Sequence, residues 1–371
     1  MKYINFGKTN KEVSILGMGG MRFEKNITEK NCISFIRYAS ELGVNYFDTA
    51  PLYNEDRSEA IYGRAFKEMP TENFFIATKG DNAKPGRQIE LSIENSLRKL
   101  QIERINFYFL WCVTNAKQFE RSKMKGEALE AIVKAKEREL IEHIGVSTHM
   151  YSDGIKQLVD SGIFEFIMIP YNALNFRQRD EGLRYAKEHQ LGTVVMNPLY
   201  GGVIPQYKNI INIYPDSKNS PVEDAFRFCM ESPFINVTLS GMNRIDMINE
   251  NVSYALRSEK KSSLDFNLLQ SKIQSANRWI CTSCGYCMIH CPEEIDIMSY
   301  MEIYNTYMLT KSVYETKKRH EWYFEAGPLM NITKKTADCT QCQASENECT
   351  QYLDIIKRLE WISEQFEKNT N

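Results

Sequence analysis

The sequence predicts an α/β protein: a (β/α)8 barrel, or TIM barrel, followed by a small, mostly helical domain. Short runs rich in β-branched and aromatic residues alternate with amphipathic stretches eight times in roughly the first 260 residues, which is typical of such barrels. Seven of the ten cysteines then fall between residues 281 and 349. We therefore expect a barrel at residues 1–262 and a second domain at residues 263–371, with a polar boundary near 260–263.

Each of the eight predicted strands is followed by a predicted helix. The strands lie at 15–17, 44–48, 74–78, 107–110, 143–146, 164–169, 193–196 and 237–239. The helices lie at 28–42, 57–68, 86–100, 126–140, 152–160, 178–189, 221–230 and 243–256. The alternative is an open doubly wound sheet, but this usually has about five or six strands and often a glycine-rich phosphate loop. The segment from Gly17 to Gly20 lacks the spacing of that loop, which favours the barrel.

The second domain has three segments with a helical pattern. They are a connecting helix at 264–278, an aromatic-rich insert at 297–327 and a terminal amphipathic helix at 352–371. The cysteines lie between these segments, and the insert interrupts the cysteine region.

Composition excludes several classes of function. The chain is 43% hydrophobic and 25% charged with a net charge of −2, so no overall field recruits nucleic acid or an anionic membrane. No apolar run is long enough to span a membrane, and the first residues lack the apolar core of a signal peptide. We expect a cytoplasmic protein with a small-molecule substrate and neither nucleic acid nor membrane as a partner.

The cysteines of residues 281–349 form two runs. The first run has two-residue gaps and ends in Cys-Pro, which is the spacing of bacterial ferredoxins that bind 4Fe–4S clusters; its members are Cys281, Cys284, Cys287 and Cys291. Zinc or free thiols are the alternatives, but zinc needs neither the third close cysteine nor the proline. The second run is Cys339, Cys342 and Cys349, with Ser345 in place of the third cysteine.

The two runs together predict one complete cluster site and one incomplete site. In two-cluster ferredoxins, the fourth cysteine of each run binds the cluster of the other run. The complete site then consists of Cys281, Cys284, Cys287 and Cys349. The second site has Cys291, Cys339 and Cys342 and lacks one thiolate, so it could hold a three-iron cluster, use the oxygen of Ser345 or stay empty. The first cluster either transfers electrons or stabilises a domain that is poor in core.

Residues at the C-terminal ends of barrel strands usually carry function. Asp48 ends the second predicted strand, Lys79 follows the third, and Tyr53 lies in the loop between them. A carboxylate, a phenol and an ammonium that converge there suit an acid catalyst, with Lys79 lowering the pKa of Tyr53 and Asp48 holding Lys79. The alternative is a structural ion pair beside a core tyrosine.

These segments resemble the aldo-keto reductases. The resemblance rests on Asp48–Tyr53 and Thr78–Lys79, on Phe6–Thr9 as the hairpin that closes the barrel floor, and on later segments at 144–147, 170–172, 198–199 and 250–251. It covers roughly residues 1–256, and the whole chain resembles the subgroup with an appended ferredoxin-like domain. It implies that NADPH gives a hydride to a carbonyl carbon while Tyr53 donates the proton.

The chain departs from this family at several positions. Trp111 stands where the family has a histidine after the fourth strand, and an indole N–H can donate a hydrogen bond but cannot accept a proton. Met168 and Met196 replace a glutamine and a tyrosine that contact the nicotinamide. Gly241 and Met247 occupy the places of cations that bind the adenosine 2′-phosphate, which leaves Arg244 as the nearby cation.

The resemblance assigns the cofactor contacts to Ser147, Asn172, Met196, Leu199, Gly201, Gly241, Arg244 and Asn251. We expect NADP(H) or NAD(H) there, with FMN as an alternative because a flavin handles both hydrides and single electrons.

Three functions remain open from the sequence. The leading interpretation is an iron–sulfur oxidoreductase of aldo-keto reductase type that reduces a carbonyl or an activated double bond, with an electron-transfer protein as a further partner. The second is a nicotinamide-only reductase with a structural cluster. The third is a non-catalytic redox sensor or docking protein, because Trp111 replaces the catalytic histidine.

Overall fold

The computed structural model describes residues 1–23, 27–70, 74–206, 208, 213–214, 217–261, 271, 279–281, 287–288, 291–330, 332–349 and 352–367. Its internal contacts divide the chain into two units. The barrel unit comprises Met1–Tyr171, Gly182–Pro198 and Phe226–Ser263. The cysteine unit comprises Asn172–Glu181, Leu199–Ala225 and Leu264–Asn371.

Eight parallel strands form a closed barrel in the order β10-β3-β4-β5-β6-β7-β8-β9. They are β3 (Leu16–Gly19), β4 (Tyr46–Asp48), β5 (Phe75–Asp81), β6 (Ile105–Val113), β7 (Ile141–Thr148), β8 (Phe166–Pro170), β9 (Gly192–Met196) and β10 (Val237–Ser240). The predicted (β/α)8 barrel is therefore confirmed. The earlier strands β1 (Tyr3–Asn5) and β2 (Glu12–Ser14) pair antiparallel as a separate hairpin.

Helices follow the strands as the sequence pattern predicts. Those up to residue 257 are α1 (Glu29–Glu41), α2 (Ser58–Phe66), α3 (Gly86–Leu100), α4 (Ala116–Ser122), α5 (Ala128–Glu137), α6 (Ser152–Asp160), α7 (Asp180–Glu188), α8 (Val203–Gln206), α9 (Pro221–Met230) and α10 (Ile245–Arg257). Two short helices, α4 and α8, are additions to the predicted set. Asn115 starts α4 by accepting the N–H of Gln118, but seven residues are too few for a helical period to stand out.

Helix α3 illustrates how the outer ring forms. Its apolar residues Ile89, Ile93 and Leu100 recur at helical spacing and are buried, so one face packs inward while the other stays polar. The helix ends where Gln101 adopts a left-handed conformation, with φ of 56°. The Gln101 N–H then bonds to the carbonyl of Leu97 and satisfies one of the last free acceptors.

The hairpin before the barrel closes its lower end. Phe6 is fully buried, and its ring lies 5.0 Å from that of Phe107 and 5.8 Å from that of Tyr46, centroid to centroid. Gly7 permits this insertion because its φ is +56° and an added Cβ would lie 2.2 Å from the backbone nitrogen of Gly192.

The cysteine unit contains helices α11 (Ile297–Thr310), α12 (Val313–Glu325), α13 (Ala344–Asn347) and α14 (Ile355–Ile362). The predicted insert at 297–327 is thus two helices, separated where Lys311 is left-handed and Ser312 caps α12. The predicted terminal helix is α14 with a π-helical extension to Glu367. The predicted connecting helix at 264–278 lies almost entirely outside the described residues.

The core of the cysteine unit joins its helices to cysteine-bearing loops. Cys281 and Cys287 are buried in the same cluster as Tyr300, Leu353 and Leu359, and Cys291, Cys339 and Cys349 pack against it. In the part of the chain that the structure describes, no helix is long and apolar enough to cross a membrane.

Candidate functional site

Asp48 and Lys79 form a buried ion pair at the ends of β4 and β5. The Lys79 Nζ donates to Asp48 Oδ1 at 2.6 Å and to the carbonyl of Thr49 at 2.7 Å. Their side chains are only 4% and 1% exposed. Burial lowers the pKa of Lys79 and raises the pKa of Asp48, while each charge opposes the effect of burial on the other. The pair therefore holds one ammonium in a fixed place away from water.

Tyr53 lies beside this pair, as the sequence predicts. The Lys79 Nζ is 5.0 Å from the centroid of the Tyr53 ring. The Tyr53 N–H bonds to the carbonyl of Ala50, and the Tyr53 carbonyl accepts the N–H of Ser58. The Tyr53 hydroxyl has no hydrogen-bond partner among the described residues, so its proton is available to a bound molecule.

The predicted effect of Lys79 on Tyr53 is not the dominant one. Burial raises the pKa of Tyr53 well above its ordinary value, the charges of Asp48 and Cys112 raise it further, and Arg22 opposes them. Lys79 is neutralised by Asp48 at 2.6 Å, which reduces its pull on the phenol. In this state Tyr53 is a protonated phenol across the physiological pH range.

The loop that carries Tyr53 has an unusual backbone. Asn54, Glu55 and Asp56 have φ values of 53°, 55° and 64°, which L-residues adopt rarely and almost never three in succession. Hydrogen bonds from Arg57 to the carbonyl and side chain of Asn54 hold the turn. Local strain of this kind is concentrated at functional sites.

Trp111 and Cys112 mark an irregularity at the end of β6. The register between β6 and β7 shifts between Leu110 and Val113, and Cys112 has φ of 59°. The amide of Asn82 donates to the carbonyls of Trp111 and Cys112 at 2.7 and 3.0 Å. This bulge turns the half-buried indole of Trp111 towards Tyr53, with ring centroids 5.8 Å apart and planes at 86°.

Five of the predicted cofactor residues belong to the barrel unit: Ser147, Met196, Gly241, Arg244 and Asn251. The buried Ser147 hydroxyl accepts the N–H of Cys112 at 2.9 Å, which leaves its own proton to donate. The amide of Asn251 donates to the Ser240 hydroxyl at 2.9 Å. Met196 is half-buried at the end of β9, whereas Met168 is part of the barrel core.

Arg244 is exposed and forms two hydrogen bonds to Asp246, at 3.0 and 3.1 Å. The carboxylate of Asp246 thus already contacts Arg244, the cation that the sequence predicts to bind the cofactor phosphate. Sequence reasoning overlooked Arg22, which lies in the short 3-10 turn Gly20–Arg22 after β3. Arg22 packs closely against Gly241, since a Cβ added to Gly241 would lie 2.8 Å from the Arg22 side chain. Its position after a barrel strand could have identified it.

The other three predicted cofactor residues, Asn172, Leu199 and Gly201, belong to the cysteine unit. The Asn172 side-chain oxygen accepts the N–H of Leu174 at 2.9 Å. Gly201 has φ of +70°, and a Cβ there would meet nothing within 4 Å. Between them, Tyr200 is buried: its hydroxyl donates to the carbonyl of Glu302 and Arg319 stacks on its ring.

Two cysteines of the second run, Cys339 and Cys342, line one pocket together with Cys291, the last cysteine of the first run. It contains about 330 Å³ of empty space, part of it open to solvent, and its walls include Cys291, Cys339, Cys342 and Ser345. The pKa of Cys339 is raised by burial and by the charges of Cys291 and Cys342. These three thiols are therefore neighbours although they are up to 51 residues apart in sequence.

Cys281, Cys287 and Cys349 are grouped in the adjoining core, and Cys284 lies outside the described residues. The side chain of Asn305 bonds to both the N–H and the carbonyl of Cys281, at 2.8 and 2.7 Å. The Leu353 N–H points at the Cys349 sulfur at 3.4 Å. Among the described residues, no group of three or more His, Cys, Asp or Glu side chains that could hold a single metal ion is found.

Arg358 is a buried cation beside these thiols that sequence reasoning overlooked. It is 8% exposed and donates to the carbonyl of Trp279 at 3.1 Å. Its guanidinium lies 4.9 Å from the centroid of the Tyr304 ring, and its Nη1 has no hydrogen-bond partner among the described residues. Burial lowers the pKa of Arg358, and the charges of Tyr304, Cys281 and Cys349 oppose this.

Comparison with known proteins agrees with this geometry. The uncharacterized oxidoreductase YqkF of Bacillus subtilis is 24% identical over 73% of this chain and 96% of its own length. The NADH-specific methylglyoxal reductase of Escherichia coli is 26% identical over 55% of this chain and 69% of its own length. Both alignments involve proteins named as oxidoreductases or reductases.

Solved structures show the same fold. An aldo-keto reductase from Klebsiella pneumoniae in complex with NADPH superposes with a TM-score of 0.61, at 18% identity, over 73% of this chain and 95% of that chain. The sequence profile of the Aldo/keto reductase family matches residues 15–273, more than half of the chain. The chain therefore belongs to the aldo/keto reductase family of oxidoreductases.

Proposed function

We propose that this oxidoreductase uses a nicotinamide cofactor to reduce a small carbonyl compound or an activated double bond at the Asp48–Lys79–Tyr53 site, and that its C-terminal part carries a 4Fe–4S cluster. The observation that supports the reductase most directly is a Tyr53 hydroxyl without a hydrogen-bond partner among described residues, held beside a buried lysine at 5.0 Å from its ring. The domain division at residue 262 and the ferredoxin-like subgroup are part of this proposal.

Each residue of the site has a chemical task. Tyr53 donates the proton to the substrate oxygen, because it is the neutral acid with a free hydroxyl. Lys79 stabilises the phenolate that is left, since its ammonium is fixed against the face of the ring. Asp48 keeps Lys79 in place and charged. Trp111 bounds the substrate on one side and can donate one hydrogen bond to it.

The proposal of a nicotinamide cofactor is supported by membership of the family and by polar side chains that can still form hydrogen bonds to the cofactor. The bound cofactor supplies the hydride. Within the barrel unit, Ser147 can donate its hydroxyl proton to the cofactor amide, and Asn251 is a further contact. The family resemblance of the sequence adds Asn172 to these contacts. The segment at Gly201 and Gly202 has backbone with φ of +70° and +98° and open space around it, which suits phosphate. Arg22 and Arg244 supply positive charge.

The cluster proposal rests on the cysteine spacing and on Arg358. A guanidinium buried with one partnerless nitrogen is costly unless a negative group lies nearby. The thiolates of Cys281, Cys284, Cys287 and Cys349 around an iron–sulfur cluster would provide that negative charge. Cys281 and Cys349 are the thiols whose charges act on Arg358. The cysteine spacing and the buried Arg358 together support the proposal of a cluster, which would supply single-electron chemistry.

A second candidate function follows from Trp111. Its indole stands against Tyr53 where the family has a histidine, and burial holds the pKa of Tyr53 well above its usual value. A site of this kind could bind cofactor without turnover, as in a redox sensor or docking protein. Tight cofactor binding without reduction of any substrate would favour this candidate.

The proposed function is tested with the Tyr53→Phe variant. NADPH and NADH oxidation would be followed with small aldehydes, ketones and activated alkenes, and cofactor affinity by quenching of protein fluorescence. We expect kcat to fall by roughly 10²–10⁴-fold with the cofactor Kd unchanged. Tyr38→Phe is the matched control, because the Tyr38 hydroxyl bonds to Asn249 on the surface. Equal turnover of the wild type and Tyr53→Phe would refute the assignment.

A further inference from the structure

Among the described residues that line it, the pocket between the two cysteine runs offers three thiols and no fourth. Cys291, Cys339 and Cys342 line it, and Ser345 stands where a ferredoxin run would have its third cysteine. Cys342 is exposed and the other two are partly buried, so one side of the pocket faces solvent. A group bound by these thiols would therefore be reachable from solution.

Ser345 is not oriented as a ligand. It is buried at the second position of α13, and its hydroxyl donates to the carbonyl of Cys287 at 3.2 Å. That hydrogen bond ties the second cysteine run to the first. The hydroxyl would have to lose this partner and its proton to bind iron.

The carboxylates around the pocket also have partners. Glu346 accepts the N–H of Ile356 at 2.9 Å, and Glu293 pairs with Lys334 at 3.6 Å. The remaining walls include the apolar side chains of Ile295, Ile297, Ile355 and Leu359. Among the described residues that line the pocket, the three thiols are thus the groups suited to iron.

We propose that this pocket binds a second iron–sulfur cluster through the thiolates of Cys291, Cys339 and Cys342, and that its fourth iron is held by an exchangeable ligand from solution. The inference deepens the proposed function and rests on it only for the presence of clusters in this part of the chain. Such an iron can leave and return, whereas an iron held by a fourth thiolate is retained.

The loss of this iron balances in atoms and electrons. A [4Fe–4S]²⁺ cluster releases one Fe²⁺ and gives one electron to an added oxidant, ferricyanide, to leave [3Fe–4S]⁺. All four sulfides and three thiolate bonds remain. Added Fe²⁺ and a reductant, dithionite, reverse the change. The three-iron product is paramagnetic and is seen by electron paramagnetic resonance.

The test compares the wild type, Ser345→Cys, Ser345→Ala and Cys342→Ser after anaerobic reconstitution with iron and sulfide. Iron content and the paramagnetic signal are measured before ferricyanide, after it and after Fe²⁺ with dithionite. For the wild type we expect about eight irons per chain, loss of about one with ferricyanide, a three-iron signal, and recovery with Fe²⁺. Ser345→Cys should keep its iron and show no such signal, because a fourth thiolate holds the fourth iron.

Ser345→Ala is the matched control for the hydroxyl and should behave as the wild type. If it loses iron that the wild type retains, Ser345 is a ligand and the exchangeable site is refuted. Cys342→Ser should halve the iron content. A wild type with about four irons that Cys342→Ser does not change would overturn this inference and leave the first cluster intact. A chain without iron would overturn both.

Discussion

The indole of Trp111 meets the ring of Tyr53 edge to face, at 5.8 Å between centroids and 86° between planes. The family resemblance of the sequence expects a histidine at this position, which can relay protons, whereas the indole of Trp111 can only donate a hydrogen bond. It also places a large apolar surface beside the proposed acid. The substrate should therefore be positioned by shape more than by polar contacts.

Trp111→His should raise the rate of carbonyl reduction. The imidazole would polarise the carbonyl oxygen and free space beside Tyr53, and we expect kcat/KM for a small aldehyde to rise about tenfold or more. Trp111→Phe removes the N–H and part of the bulk but adds no imidazole. It therefore shows how much of any gain comes from the added space alone. Steady-state kinetics of both variants show whether the imidazole or the added space changes the rate. A fall in rate for Trp111→His would mean that the indole itself holds the substrate.

Asp48→Asn should destabilise the barrel and impair catalysis together. The variant leaves the Lys79 ammonium buried without a counter-charge, which costs about 3–5 kcal/mol in comparable pairs. The double variant Asp48→Asn with Lys79→Met should recover much of that loss, since no buried charge remains. Urea unfolding of the two single variants and the double variant measures the coupling. Additive losses would show that the ion pair is not coupled in the folded state.

If the proposed first cluster is present, Arg358→Leu should make it harder to reduce. Removing a buried positive charge next to Cys281 and Cys349 disfavours the added electron, so the reduction potential should fall by on the order of tens of millivolts. Lys357→Leu removes the same charge from an exposed neighbour and should change the potential little. Redox titration followed by electron paramagnetic resonance compares them. Equal shifts for both variants would contradict a specific role for Arg358.

Acid should destabilise the barrel through Glu165. Burial alone would raise the pKa of Glu165, but hydrogen bonds from His143, Lys136 and the N–H of Ile144 outweigh it and lower the pKa to about 2. A carboxyl with a lowered folded-state pKa stabilises the fold above its unfolded pKa of about 4.3. This stability should be lost between about pH 4.5 and pH 2.

Glu165→Gln checks this expectation. The variant should be less stable at neutral pH by about 1 kcal/mol after allowance for solvent screening, and the difference from the wild type should shrink as the pH falls through the range named above. Denaturant unfolding at a series of pH values measures it. A difference that stays constant with pH would show that Glu165 contributes by packing alone.

The barrel could be predicted from sequence because its signal is local. Each strand is a short apolar run, and a helical period follows it within a few residues. Asp48, Tyr53 and Lys79 could be placed for the same reason, since Asp48 and Lys79 lie in the last residues of strands and Tyr53 lies in the loop after β4. The ends of β6 were missed: it runs to Val113 instead of 110, because the Asn82 contacts that support the bulge come from another strand end.

Arg358 could not be found from local pattern. It is one of three charged residues in α14, and the sequence does not show which of them is buried. The residues that contact it, Trp279 and Tyr304, are distant in sequence. The pocket around Cys291 and Cys339 likewise depends on chain segments brought together by folding. The spacing of the cysteines indicated which thiols belong together, but the partners of Ser345 and Glu346 became visible only in three dimensions.

Phe6 begins a column of aromatic rings inside the barrel. Its ring meets Phe107 at 5.0 Å, Phe107 meets Phe166 at 5.3 Å, and Phe166 meets Phe109 at 4.7 Å; Lys79 lies 5.4 Å above Phe109. The column therefore shields the charged pair from water on the side of the hairpin. The ammonium rests on a poorly polarisable floor, where a given charge acts over a longer range than it would in solvent. The hairpin that inserts Phe6 thus makes one side of the site apolar and strengthens the electrostatic effect of Lys79, although the hairpin contributes no functional group to the site.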